Sequence, residues 1–597
     1  MCGITVIINK KKSSIDKNLL KSMNDKVKHR GPDGEGFYID SNIGLGHRRL
    51  SIIDLTENAN QPMIFDDIIL TYNGEIYNYI ELKNELIEKG YQFKTNSDSE
   101  VIIRSYQEWS FDCVKKFNGM WSFCIYDKNI KKVFISRDRF GIKPLYFFEN
   151  KKSIFLASEI KQILCNIDQP KVNKNTLFNY LYLNMNDACE ETFFKDIMIF
   201  KPSHYLVFDM KNGLKKEVKY YNLKEELESN RVSDDKNFFE NNIRNSVNFR
   251  LRSDVKVGIC LSGGLDSSAI AATCHSIIGI GKNLTAINAK SIDRNKDESN
   301  FAKIVCEKFN LDLDFSEIDK RDFDNNINKI IEAQEEPFLD PSVAMQFFVM
   351  KQAKINGCKV MLDGQGGDET LLGYERYFVP YLRSLSFLSR IKNFIKLSNN
   401  SKLSYYNLIS YIMYFRFPLI KKLYILFKNR FIKQKNFSFT SKKLLYSFLK
   451  SSNSLKELII NEIYKIQLPK LLRYEDKNSM FHSIEARVPF LDHEFVEYCI
   501  NLNNNQKIKN GWSKFILRNY LSNKSLNKIA WRKNKYGFEA PKQFWMKKKD
   551  LYIDEINKSE FIKNIIKKNS NLANIDLKSL WKLYNIAVWS KIYNVKY

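Results

Sequence analysis

The second residue of the chain is a cysteine, in Met1-Cys2-Gly3. A small second residue permits methionine removal, which leaves a thiol and a free α-amine on one residue. The thiol can attack a carbonyl. The amine, with an ordinary pKa of about 7.7–8.0, can shuttle the proton near neutrality. Attack on an amide creates an oxyanion, so hydrogen-bond donors must already be in place. Asn73-Gly74-Glu75-Ile76-Tyr77-Asn78 follows a β-branched run and offers an Asn side chain and a Gly amide. An amide substrate that carries a carboxylate and an ammonium would also need partners for both. Arg49, in Gly46-His47-Arg48-Arg49-Leu50-Ser51, suits the carboxylate as a two-pronged donor, and Glu75 and Asp98 suit the ammonium. Each of these alone reads as a turn residue or a surface charge.

A second constellation lies at Ser262-Gly263-Gly264-Leu265-Asp266-Ser267, between a buried strand pattern and a helical one. Glycines let backbone N–H groups close on an anion, and a helix N-terminus adds its positive end. Ser262 and Ser267 add hydroxyl donors. No Lys-Ser or Lys-Thr pair closes the loop, so it is not the common P-loop of ATPases. Asp266 would repel a phosphate unless a cation sat between them, which implies Mg²⁺. Asp363-Gly364-Gln365-Gly366-Gly367-Asp368-Glu369 follows another short strand and offers more amides and acids at the same sheet edge.

The elements that must position these groups change character along the chain. Up to about residue 201, short β segments prevail, at Ile4–Ile8, Ile43–His47, Ile68–Asn73 and Val133–Ser136, with helical patterns at Asp16–Lys28 and Tyr79–Lys89. That is an α+β unit. The polar stretch Asp209–Lys236 reads as a linker. Strands at Val255–Leu261, Leu284–Lys290, Leu311–Phe315 and Lys359–Leu362 then alternate with helices at Ser267–Ile278, Glu298–Phe309 (with Asp297 as cap), Asp324–Ala333 and Ser342–Ile355. That alternation predicts a parallel α/β sheet with ligands at the carboxyl ends of its strands. Beyond Tyr374 the pattern is helical, Lys-rich and aromatic. The expected organisation is a first domain over 2–205, a linker over 206–236 and a second domain over 237–597, with an unassigned basic helical segment at about 374–453.

Composition sets the outer bounds. The 597 residues exceed one ordinary core, and 44% hydrophobic with 27% charged residues excludes global disorder. The net charge of +27 is spread along the chain without a nucleic-acid motif, so no nucleic-acid partner is expected. The ten cysteines include no C-x-x-C pair, and Cys274-His275 has no further ligand candidates beside it. A zinc site and a disulfide framework are therefore not expected, and a reducing compartment fits. No signal-peptide pattern opens the chain, and no apolar run reaches the roughly 18–20 residues needed to span a bilayer. A soluble, cytoplasmic protein is expected.

Six segments resemble, in order and spacing, the N-terminal-nucleophile glutaminase domain of glutamine-hydrolysing asparagine synthetases. They are Met1-Cys2-Gly3-Ile4, residues 29–34 (His-Arg-Gly-Pro-Asp-Gly), 46–52, 73–78, Ser97-Asp98-Ser99-Glu100 and 137–146. The two Gly-rich loops, together with 483–492, 512–518 and Trp531-Arg532-Lys533, resemble the ATP-pyrophosphatase domain of the same family. The likeness covers nearly everything outside 374–453. It implies a four-layer αββα glutaminase domain, then a parallel-sheet α/β ATP-pyrophosphatase domain with helical C-terminal additions, using ATP and Mg²⁺. By that likeness Cys2 is the nucleophile, Asn73 and Gly74 form the oxyanion hole, and Arg49, Asn73, Glu75 and Asp98 hold glutamine. Leu261 and Ile287 border the adenine, while Ser262, Gly263, Gly264, Ser267, Asp363 and Gly364 contact the nucleotide. Asp266 and Asp368 hold the metal–pyrophosphate, and Lys514 stabilises the transferring phosphate.

The implied reaction hydrolyses glutamine to glutamate and ammonia, cleaves ATP to AMP and pyrophosphate, and amidates a carboxylate, aspartate first. The family's second loop reads Ser-Gly-Glu-Gly; here it is Asp363-Gly364-Gln365-Gly366. Gln365, Asp368 and Glu369 are the candidates for acyl-adenylate formation; Gln365 cannot ionise, so any base role must move elsewhere, with Glu369 a candidate. The loop also resembles that of relatives in bacterial surface-polysaccharide pathways, which implies a sugar uronate as the alternative acceptor. A non-catalytic member of the fold is the second alternative. The implied partners are glutamine and the carboxylate acceptor, without a membrane span, and a homodimer stands open.

Overall fold

The computed structural model describes residues 2–11, 13–186, 190–229, 236–279, 284–293, 297–416, 424–425, 427–433, 454–533, 540–547, 549–568 and 570–597. The first part of the chain supplies β1 (Gly3–Asn9), β2 (Gly34–Asp40), β3 (Ile43–Arg49), β4 (Met63–Phe65), β5 (Ile68–Ile76), β6 (Gly119–Asp127), β7 (Lys132–Arg137), β8 (Tyr146–Glu149), β9 (Ser153–Ala157), β10 (Ile197–Ile199), β11 (His204–Asp209) and β12 (Lys215–Lys219). They form two six-stranded sheets, ordered β10-β8-β9-β1-β3-β2 and β12-β11-β7-β6-β5-β4.

Strand alternation explains the layering. Ile4, Val6 and Ile8 of β1 turn one way and meet Ile69, Cys124 and Ile135 of the other sheet. Ile7 turns the other way, onto Leu20 and Met23 of helix Lys17–Asp25. Helix Asp98–Trp109 covers the outer face of the second sheet with Val101 and Ile102 against Tyr72 and Phe123. The result is the expected αββα sandwich.

The stretch read as a linker is corrected by the structure. Residues 204–219 are a hairpin, β11–β12, paired onto β7 in the second sheet, and Leu223–Ser229 is a helix. Residues 230–235 lie outside the described residues. The polar reading arose because β12 is an edge strand whose four charged residues face solvent while Val218 packs inward.

The second part contributes β13 (Val257–Cys260), β14 (Thr285–Lys290), β15 (Asp312–Glu317), β16 (Val360–Leu362) and β17 (Glu485–Arg487). All pair in parallel, in the order β15-β14-β13-β16-β17. Both faces are covered, as a parallel sheet requires. Ile259, Ala286 and Leu362 meet Ala269 and Val305 on one face; Ile287, Met361 and Ala486 meet Val349 and Met350 on the other. The chain runs outward from β13 to β15, then returns to place β16 on the other side of β13. The carboxyl ends of β13 and β16 therefore flank the switch point, where α/β sheets bind ligands. The expected cap Asp297 does accept from the Ser299 N–H, 3.2 Å away.

Buried ion pairs and apolar packing join the two parts. Arg30 donates to both Asp476 oxygens at 2.8 and 3.1 Å and to Glu159 at 2.9 Å. Beyond β16 the chain is mainly helical among the described residues, including Phe378–Arg383, Phe387–Asn400, Tyr405–Arg416, Leu468–Phe481 and Leu577–Ile592. Within the basic segment expected at 374–453, residues 417–423, 426 and 434–453 lie outside the described residues.

Candidate active sites

Cys2 sits buried at the head of β1, and its backbone nitrogen donates to Asn73 Oδ1 at 2.9 Å. Asn73 is in β5, which crosses below it. The other end of that amide, Nδ2, is buried and has no protein partner. An unpaired buried donor costs free energy, so its natural explanation is a ligand atom. Burial raises the Cys2 thiol above its ordinary pKa, so the resting sulfur is protonated and needs a base. Gly74 is required sterically. A Cβ there would lie 2.2 Å from the Met120 carbonyl oxygen on the paired strand β6.

Asp98 opens its helix, and its Oδ2 accepts from Tyr72 Oη at 2.8 Å and the Ile76 N–H at 3.0 Å. Burial pushes Asp98 up to about 6 against those donors. Glu75 Oε2 faces Arg487 at 3.2 Å, while Oε1 is buried without a partner. Burial, then the neighbouring Asp98, push Glu75 well above the ordinary carboxyl range. Arg49 donates to the Thr56 and Asp54 carbonyls and to Asn60 Oδ1. Cys2, Arg49, Gly74, Glu75 and Asp98 line one cavity of about 30 Å³, which Tyr72 and Gln61 complete.

The second site is a cavity of about 290 Å³ at the ends of β13 and β16. It gathers Leu261, Ser262, Gly264, Asp266, Ser267, Ile287, Asp363, Gly364, Gln365 and Asp368. Ser262 Oγ lies 3.1 Å from Ser267 Oγ and accepts from the Gly264 N–H at 3.2 Å. Gly263 does not line the cavity; its φ of +69° makes the turn, and a Cβ would strike the backbone of Ala302 at 2.7 Å. Lys514, almost fully buried, holds Asp266 at 2.6 Å and Asp368 at 2.5 Å. Gly373 makes room for this triad, since a Cβ would lie 1.9 Å from Asp368 Oδ1.

Glu369 departs from expectation. It does not line the cavity; it is buried, accepts from Tyr374 Oη at 2.7 Å and is pushed up to about 7 by burial and then by Asp368. Its contact with the cavity runs through Tyr374, which lines it. Asp363 is raised by burial and lies against Glu475, which is raised further by burial and by Asp363.

Among the described residues no group of three or more His, Cys, Asp or Glu side chains converges as a metal cage. Asp266 and Asp368 form a two-carboxylate oxygen set already gripping one cation, the Lys514 ammonium. That chemistry suits a hard divalent ion whose remaining ligands are phosphate oxygens and water.

Sequence reasoning missed the residue between the sites. Arg487 of β17 binds Glu485 at 2.6 Å and Glu75 at 3.2 Å, and its carbonyl accepts from the Asp363 N–H at 2.9 Å. The signal was there: in Glu485-Ala486-Arg487 the acid and base two apart share one strand face. Tyr72, which holds Asp98, gave no such signal.

An N-terminal cysteine site on an αββα sandwich, joined to a serine-glycine loop at the switch point of a parallel sheet, defines a glutamine amidotransferase with a synthetase half. Residues 1–221 match the glutamine amidotransferase domain family and 239–585 the asparagine synthase family. The chain belongs to the asparagine synthase family, whose members use ATP. It is 31% identical to asparagine synthetase [glutamine-hydrolyzing] 1 of Bacillus subtilis over 605 residues, covering 96% of this chain and 91% of that one. It is 35% identical to a putative asparagine synthetase [glutamine-hydrolyzing] 2 of Methanocaldococcus jannaschii over 422 residues, covering 66% and 79%. It is also 25% identical to amidase chry2 of Gibberella zeae over 616 residues, covering 91% and 90%.

Proposed function

We propose that the chain hydrolyses glutamine at Cys2 and spends the ammonia on an adenylated carboxylate, with aspartate the acceptor that the named relatives support. The observation that carries the first half is the Asn73 amide, with one end on the Cys2 nitrogen and the other unpartnered. With methionine removed, that nitrogen is the α-amine. It takes the thiol proton as sulfur attacks the glutamine side-chain carbonyl, and Asn73 Nδ2 with the Gly74 N–H meets the oxyanion. The same proton passes to the departing ammonia, and water then cleaves the thioester to glutamate. Arg49 takes the substrate carboxylate; Asp98 and Glu75 Oε1 take its ammonium.

In the second half, a carboxylate oxygen attacks the α-phosphorus of ATP and pyrophosphate leaves. The Ser262–Ser267 loop holds the departing phosphates, Leu261 and Ile287 border the adenine, and Asp363-Gly364 contacts the nucleotide. Asp266 and Asp368 would hold Mg²⁺ there, and the ion would supply charge neutralisation for those phosphates. Lys514 adds a fixed positive charge beside them. Ammonia attacks the acyl carbon and AMP departs.

A uronate acceptor is favoured by one observation. Among the described residues, those lining the cavity include no Lys or Arg, which an aspartate α-carboxylate would need. Gln346, Gln365, Gln467, Tyr374 and Tyr474 line it instead and suit hydroxyl groups. The test is AMP release with glutamine and either aspartate or candidate uronates, the product identified by mass spectrometry. Asparagine as the efficient product decides for aspartate. Cys2→Ala should abolish glutamine hydrolysis yet leave ammonia-dependent synthesis; loss of both in a folded variant would refute two separate sites.

A further inference from the structure

From Arg376 to Lys456 the chain contains seventeen Lys and Arg and no Asp or Glu. In a chain that is otherwise a mixture of both signs, this is a strongly one-signed block. Two helices in it, Phe387–Asn400 and Tyr405–Arg416, pack on each other, with the Phe394 and Tyr405 rings 6.1 Å apart. Each is anchored by one fully buried leucine, Leu397 and Leu408. At about 100° per residue, the side of each helix away from its anchor carries a continuous apolar stripe. On the first helix the stripe is Phe387, Leu388, Ile391 and Ile395; Leu388 is 79% exposed and Phe387 71%. On the second it includes Tyr406, 78% exposed, with Ile409 and Met413.

A fold leaves a stripe of this kind in water only where something covers it in use. Exposed Lys392 lies beside the first stripe, exposed Arg390 on the same helix donates to the Leu382, Arg383 and Leu385 carbonyls, exposed Lys402 sits between the two helices, and the block contains no acid. Among the described residues no helix is long and apolar enough to cross a membrane. Short amphipathic helices with Leu, Phe and Tyr on one side and basic residues beside them lie in the plane of a bilayer interface. The apolar side chains enter the acyl boundary, and the cations neutralise anionic headgroups.

We infer that this helix pair docks the enzyme onto an anionic lipid bilayer. The inference does not depend on which acceptor is used. It does place the synthetase half at a surface where a lipid-linked carboxylate would be found.

The experiment is sedimentation of the full-length protein with vesicles of phosphatidylcholine alone and of phosphatidylcholine mixed with phosphatidylglycerol, in low and high salt. Binding should require the anionic lipid, weaken in high salt, and fall by about tenfold or more in L388D/Y406D. Both side chains are exposed and line neither active-site cavity, so glutaminase activity of the variant should be unchanged and reports an intact fold. No binding to anionic vesicles, equal binding to both vesicle types, or undiminished binding by the variant would each overturn the inference. A self-associating parent that becomes monomeric in L388D/Y406D, without vesicle binding, would show instead that the face covers a second copy of the chain.

Discussion

Replacing Asn73 by alanine isolates the chemistry at Cys2. Two interactions end at this side chain. Its Oδ1 accepts from the Cys2 nitrogen at 2.9 Å, and its Nδ2 is buried without a partner. The first bond contributes about 1 kcal/mol to stability, and the orphan donor costs about 1–3 kcal/mol. Truncation removes both, so folding stability should change by no more than about 1 kcal/mol. Catalysis should change far more. Loss of one oxyanion donor costs about 10²–10³ in kcat, or roughly 3–4 kcal/mol in the transition state. The glutamine contacts of Arg49 and Asp98 remain, so KM should move little. Asn73→Asp refines the test, because it keeps an acceptor on the Cys2 nitrogen but removes the donor; it should be at least as inactive as alanine. The assay is glutamate release in steady state, with ammonia-dependent AMP formation as the control for the second site. A kcat within about fivefold of the parent in Asn73→Ala would refute the oxyanion assignment.

Asp98→Asn should raise stability at neutral pH while abolishing tight glutamine binding. Burial lifts the Asp98 carboxyl from 3.8 to about 6. Stability held by its protonated form is complete below the unfolded value and is lost as pH rises through about 6. The variant should therefore match the parent near pH 4 and exceed it above pH 6, by on the order of 3 kcal/mol. Thermal melts at both pH values check this, and the parent's KM for glutamine should rise below about pH 6 as the anion is lost. Asp368→Asn should lower AMP formation by about 10²-fold at ordinary Mg²⁺ and spare glutaminase activity. Unaltered ATP cleavage in that variant would remove Asp368 from the phosphate site.

The residues legible in the sequence were those whose partners are close along the chain or whose motif is compact. The Ser262–Ser267 turn announces itself between a strand and a helix, and β5 carries Asn73, Gly74 and Glu75 within one window. What escaped was set by distant pairing. β17 is three residues long and joins the sheet more than a hundred residues after β16, so no local pattern shows that Arg487 reaches Glu75. The β11–β12 hairpin escaped for the opposite reason, since an edge strand with four exposed charged residues around one half-buried Val218 has the composition of a linker. Glu369 was placed at the adenylation step by its sequence neighbours. A helical turn buries it behind the cavity wall, bonded to the lining Tyr374.

Arg487 of the second half bonds to Glu75 of the first and to the Asp363 amide, so it should couple the two sites. Its guanidinium lies between Glu485 and Glu75, it donates to the Arg250 and Arg252 carbonyls, and its own carbonyl fixes the Asp363 amide at the start of the second loop. Glu75 is chain neighbour to Gly74, so a shift of Arg487 is felt beside the oxyanion site and at the nucleotide loop together. Burial pushes Glu75 toward its neutral form, whereas an ammonium on Oε1 would favour its anion and tighten the pair with Arg487. Glutamine binding and the order of the Asp363 loop are then linked, and linkage is reciprocal: ATP with acceptor should lower the KM for glutamine by the factor that glutamine lowers theirs, where these constants report binding. Arg487→Lys keeps a charge but loses the planar fork, so it should retain both half-reactions while reducing that mutual effect toward unity. Arg487→Met strands two buried acids and should cost about 3–5 kcal/mol of stability. If Arg487→Lys preserved the full mutual stimulation, the tie between the sites would have to run through another path, of which Arg30 with Asp476 and Glu159 is the next candidate.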